Sequence, residues 1–313
     1  MKKNIKTIFN FIIKLGKEFG QDNVTKYSAS LAYYTVFSLA PLIVIIVSIS
    51  GFLFGREAMQ GEIYQQLKGL VGNDAALQIQ QNIRNIHLSG DTPVATIISI
   101  AVLLMGSTAI FGEIQDSLNK IWGLKVKSKG VWWKVILNRV LSFSVVISMG
   151  FLLIVSLIIN ALVTGLRKWL LDNISVTTEI IVSAVDLLLS LSITTMIFAV
   201  IFKVLPDARI KWKDVIYGAL FTSILFMLGK YGIAYYIGQS DFASLYGAAG
   251  SIIIILVWSY YSSVILFLGA EFTKVYASDF GGKIFPNDYS VWIKVEEIPV
   301  DRVTLTQEVK SKV

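Results

Sequence analysis

Six stretches of the chain hold enough consecutive apolar residues to cross a bilayer: Leu31–Phe54, Pro93–Phe111, Val140–Val163, Ile180–Phe202, Val215–Ile237 and Gly247–Leu268. A hydrocarbon core about 30 Å thick needs roughly 20 residues at the helical rise of about 1.5 Å. None of the six shows the alternating pattern of a membrane β-strand. Backbone groups in hydrocarbon must be hydrogen-bonded within the segment, which leaves helices. The expected fold class is an all-α integral membrane protein. Its membrane domain, 1–278, is a bundle of six transmembrane helices. In the tail, 279–313, charged and apolar residues alternate without a clear period, so it is expected to be cytoplasmic and partly disordered.

Two further segments carry a helical pattern without spanning length. In Asn4–Phe19 the residues Ile5, Ile8, Phe9, Ile12, Ile13 and Phe19 fall mostly at helical spacing, with lysines on much of the other face. That pattern fits an interfacial helix on an anionic leaflet. It equally fits a helix packed on cytoplasmic loops. The long connector Arg56–Thr92 also reads as helical, broken by a turn at Gly72-Asn73-Asp74. It would form a hairpin or cap over the outer face.

Charge supplies the orientation. Lysine and arginine crowd the N-terminal segment, the second and fourth connectors and the tail, and are sparse or dispersed in the first, third and fifth connectors. Cytoplasmic loops collect these residues, so both termini are expected in the cytoplasm, with the chain in the cell membrane. The net charge of +7 is thereby explained by topology, and nucleic acid is not an expected partner. The composition, 55% hydrophobic and 16% charged, exceeds what a soluble core of this length needs. Met1–Gly20 lacks the regions of a signal peptide, so the N-terminus is expected to be retained.

The chemistry on offer is limited. There is no cysteine and a single histidine, His87. Thiolate sites and histidine-based zinc clusters are excluded, and no metal or cofactor is expected. No phosphate-binding loop or nucleophile elbow is present. The chain is not expected to be an enzyme, and no catalytic residue is assigned.

Ionisable residues inside spans are costly and mark candidate sites. Asp186, well inside the fourth span, must face protein or water, pair with a cation, or be protonated. Its structural alternative is a helix-orienting pair with Arg139 or Lys230. Lys230, Tyr33, Tyr34, Ser38 and Tyr246 complete the candidate intramembrane polar set. Arg139, Glu113 and Glu271 are charges at helix ends, read as anchors or ion pairs; Glu113 and Asp116, one turn apart, form a solvated face beside Lys120 or a cation pair. Pro41 should kink the first span. Gly247-Ala-Ala-Gly250 opens the sixth with little bulk. Trp258, Tyr260 and Tyr261 fall mid-span and are expected to face inward, where their polar atoms find partners.

Several of these runs resemble the YihY/BrkB family of bacterial inner-membrane proteins. They are Tyr27 to Pro41 (YSASLAYYTVFSLAP), Leu118-Asn-Lys-Ile-Trp122, Lys203-Val-Leu-Pro-Asp207 with Gly218 after it, and Tyr246-Gly-Ala-Ala-Gly250 through Trp258 to Gly269-Ala-Glu271. The resemblance marks Pro41, Asn119, Trp122, Pro206, Asp207, Gly218, Gly247, Trp258 and Gly269 as motif positions. It implies a six-span fold and links to serum resistance, envelope biology and movement of lipids or lipid-like molecules. It also carries an older label as a transfer-RNA-processing ribonuclease. The lack of a metal-binding or general acid–base set argues against that label. The expected function is a non-enzymatic transporter or flippase-like protein for a lipid or envelope component, with membrane lipids as its surroundings. The alternatives are a scaffold or partner subunit binding other envelope proteins, and a lipid-modifying membrane enzyme. Nothing in the sequence fixes the oligomeric state.

Overall fold

The computed structural model describes residues 2–37, 77, 110–127, 177–238 and 249–293. Six helical segments fall within them: α1 (Lys2–Gln21), α2 (24–37), α3 (110–121), α4 (Thr177–Val204), α5 (Trp212–Gly238) and α6 (Ala249–Asp279). Four short strands complete the structure: β1 (Leu124–Val126), β2 (Ala208–Arg209), β3 (Phe285–Pro286) and β4 (Ser290–Trp292). Three stretches, Leu187–Val204, Trp212–Lys230 and Ile252–Asp279, are long and apolar enough to cross a membrane. They overlap the fourth, fifth and sixth expected spans. The expected spans Pro93–Phe111 and Val140–Val163 lie outside the described residues, apart from 110–111. So do Leu31–Phe54 beyond residue 37 and, except for residue 77, the Arg56–Thr92 cap.

α5 packs between α4 and α6. The α5–α6 contact rests on a reciprocal pair of Gly-x-x-x-Thr sequences running antiparallel. A Cβ at Gly218 would fall inside the Thr273 side chain, and one at Gly269 inside that of Thr222. Each threonine donates its hydroxyl to the glycine carbonyl of its own helix, Thr222 to Gly218 and Thr273 to Gly269, both at 2.7 Å. The hydroxyls are thus satisfied locally and the glycine backbones accept a close crossing. Gly269→Ala is expected to cost about 2 kcal/mol through overpacking. Thr222→Gly in the same chain should recover most of the loss, as read from the midpoint of unfolding in mixed detergent.

Helix boundaries follow from local chemistry. α4 stops just before Pro206, which cannot continue the backbone ladder. α3 ends at Gly123, whose φ of 65° lies in the left-handed region that glycine adopts freely. Asn23, at φ 53°, makes the corner between α1 and α2; asparagine is among the few residues that tolerate this conformation.

The strands join segments far apart in sequence. β1 pairs antiparallel with β4, with Lys125 opposite Val291; β2 pairs antiparallel with β3, with Arg209 opposite Phe285. Residues 285–292 therefore fold back on the bundle, inside the stretch expected to be an irregular tail. Residues beyond 293 lie outside the described residues. A core of Leu118, Ile121, Trp122, Leu124, Phe202, Leu205, Val215, Phe267 and Ala270 fills this end.

Candidate functional site

The densest polar structure lies at the end of the bundle where α3, the α4–α5 turn, the end of α6 and the tail strands meet. Asp207, 2% exposed, is its centre. Its carboxylate accepts from Asn119 Nδ2 at 2.7 Å and Gln115 Nε2 at 3.1 Å. Its backbone N–H donates to Asn119 Oδ1 at 2.8 Å. Its carbonyl accepts from Ser290 Oγ at 2.7 Å and from the Asn287 N–H at 3.1 Å. One asparagine amide therefore reads both the side chain and the backbone of residue 207. Every polar group of Asp207 is engaged, as burial demands. Burial, reinforced by the Asp207 charge, pushes the neighbouring Tyr289 hydroxyl above its usual range. One helical turn from Asn119, Trp122 donates its indole N–H to the Ala270 carbonyl at 3.1 Å, tying α3 to α6.

A second cluster sits where α1 docks on α6. Glu271 is fully buried. Lys274 Nζ lies 3.4 Å from its Oε2, 2.7 Å from Glu18 and 2.5 Å from Asp22. The three donors of the ammonium thus meet three carboxylates. Glu271 Oε1 has no hydrogen-bond partner among the described residues. One oxygen from each acid lies within 4.8 Å of the others, the spacing a bound cation requires; Lys274 supplies that cation from within the chain. Lys14 adds an exposed pair with Asp279 at 2.5 Å.

Both clusters are structural in geometry. Neither presents a nucleophile beside a base, and the Asp207 carboxylate, with all its bonds made, is a clamp.

Of the intramembrane polar set, Tyr33 and Tyr34 are edge-to-face neighbours on α2, with ring centroids 5.7 Å apart. Lys230 is exposed on α5. Among the described residues no hydrogen bond, ion pair or ring contact joins it to them. Asp186 is on α4, but its side chain, with Ser38, Pro41, Arg139, Tyr246 and Gly247, lies outside the described residues. Glu113 is half-buried on α3 and Asp116 exposed one turn later. The motif positions converge more clearly: Asn119 on Asp207, Trp122 on Ala270, Gly218 on Thr273, Gly269 on Thr222. Pro206 is buried beside Asp207, and Trp258 makes an edge contact with Phe226 at 6.1 Å. Sequence reasoning missed Gln115, Ser290 and Lys274 as partners. A lysine one turn after a glutamate in a long apolar helix was the available signal for Lys274.

The chain as a whole is similar to known proteins. The chain is 25% identical over 256 residues to a UPF0761 membrane protein of Tolumonas auensis, covering 80% of each chain. It is 29% identical over 264 residues to one of Pseudoalteromonas translucida, covering 80% of this chain and 81% of the relative. A third, from Vibrio vulnificus, is 27% identical over 275 residues, covering 84% and 81%. No solved structure matches the chain. The virulence factor BrkB family matches residues 15–287, a stretch that takes in Asp207 with Asn119 and Gln115, Lys274 with its three acids, and the three membrane-length helices found among the described residues. The chain is a membrane protein of the BrkB family.

Proposed function

We propose that this chain is a six-span protein of the bacterial cytoplasmic membrane, with both termini in the cytoplasm, that moves a lipid or lipid-like envelope component without covalent chemistry. The observation that carries the reading is Asp186, an ionisable residue on α4 directly before the apolar run Leu187–Val204. A carboxylate in that setting is costly, and such residues mark substrate or ion pathways by default. A lipid path needs polar groups for a headgroup beside a lateral opening for acyl chains. The topology is supported by the gathering of α1, the α3–β1 segment, the α4–α5 turn and the tail strands at one end of the bundle. These are the segments in which the cations are concentrated, and an even number of spans returns them all to one side.

The test is reconstitution. Purified protein in liposomes should accelerate transbilayer movement of fluorescent phospholipids over protein-free vesicles, and Asp186→Asn should change that rate several-fold. No acceleration with any of several headgroups would overturn the transport reading. The scaffold alternative is favoured by one observation, the complete internal satisfaction of Asp207. It predicts crosslinking to a single stoichiometric envelope partner and no lipid movement by the isolated protein.

A further inference from the structure

We propose that α1 is a membrane-surface helix with its own lipid-binding face, and that its partner is an anionic lipid surface. The inference stands apart from the transport reading and does not rest on it.

At 3.6 residues per turn, the residues of α1 divide into three sectors. The first docks on protein. Leu15 is buried, Phe11 meets Phe272 and Phe280 with ring centroids 5.2 and 5.9 Å away, and Glu18 pairs with Lys274. The second is apolar and uncovered: Ile8, Phe9, Ile12 and Ile13 are 61%, 61%, 58% and 53% exposed. The third carries Lys6 and Lys17, exposed, with Lys14 at its edge. The two sequence readings of this segment, packed helix and interfacial helix, therefore apply to different faces of one helix.

The surroundings fix the occupant. α1 docks on α6 within and just beyond Ile252–Asp279, itself of membrane length. The stripe is therefore presented beside the end of a spanning helix. Trp212, Tyr217 and Phe280, at the same end of α5 and α6, are also exposed, at 54%, 43% and 55%. Aromatic residues of this kind collect at headgroup level. A partly embedded apolar stripe flanked by lysines is the pattern that binds anionic lipid, combining hydrophobic burial with attraction to the surface potential. In water, four adjacent large apolar side chains would be a liability.

The chain has no cysteine, so single labels report unambiguously. Full-length Ile12→Cys and Lys17→Cys variants would be spin-labelled and placed in nanodiscs of phosphatidylglycerol and phosphatidylcholine, or of phosphatidylcholine alone. Neither site touches the docked face. In the anionic discs the ratio of oxygen to nickel-chelate accessibility should be several-fold higher at 12 than at 17. The difference should shrink in the zwitterionic discs. A label at 12 open to the nickel chelate would place the stripe in water and overturn the proposal. Shielding from both relaxants would place it against protein, a second copy or another segment, and overturn it equally. An unchanged ratio between the two lipid compositions would remove the role of lipid charge and with it the proposed partner.

Discussion

Lys274→Met is expected to destabilise the protein by about 3–5 kcal/mol, the cost of removing one member of a buried ion cluster. The side chain is only 25% exposed and its ammonium is shared by Glu18, Asp22 and the fully buried Glu271. Without it, three carboxylates face one another across a few ångströms with no counter-charge. Methionine keeps the length and flexibility of the lysine stem, so the loss reports on charge. The check is a double-mutant cycle read by unfolding in mixed detergent. Glu271→Gln in the Lys274→Met background should recover part of the stability, because it removes the most buried of the three acids left without the ammonium. Equal stability of wild type and Lys274→Met would show that the cluster contributes no net energy.

Asn119→Ala should cost about 3 kcal/mol. The substitution deletes two hydrogen bonds and strands both the Asp207 carboxylate and the Asp207 N–H in a buried site. Leaving a buried polar group unsatisfied costs about 1–3 kcal/mol, more for a charged one. Asn119→Asp is expected to be at least as damaging, because it sets a second carboxylate against the first. The local consequence should be visible before global unfolding. β1 follows Asn119 by five residues and pairs with β4, so limited trypsin digestion should cut faster at Lys125 and Lys127 in both variants. Unchanged cleavage there would separate the Asp207 clamp from the strand pairing.

The three spans within the described residues were legible because hydrophobicity over roughly 20 residues is a long, redundant signal. Their ends were less so. The sixth expected span ends at Leu268, yet α6 continues to Asp279. Glu271 stays inside because Lys274, on its own helix, offsets it, and the same ammonium is held by Glu18 and Asp22, some 250 residues away in sequence. The strands β1 to β4 are two or three residues long and stabilised by cross-pairing, so no periodicity could announce them. Asn119, Asp207, Gly218 and Gly269 entered only through family resemblance. Each makes a pairwise contact with a distant residue, and a single sequence holds no trace of which asparagine meets which aspartate. Asp186 and Lys230 stood out for the opposite reason, as charges in apolar runs, although α5 leaves Lys230 exposed. At the start of the tail, β3 and β4 illustrate the same limit, because they are held by the partner strands that receive them.

The clamp at Asp207 closes only after residues about 80 positions further along the chain have left the ribosome. Until Asn287 and Ser290 have been synthesised, the Asp207 carbonyl lacks two of its donors, and β1 and β2 lack their partner strands. This end of the bundle is therefore completed only when residues 285–292 are available, and they act as its fastener. A chain terminated before residue 285 would insert its helices yet leave an open, water-accessible seam, a form that quality-control proteases should recognise ahead of the full-length protein.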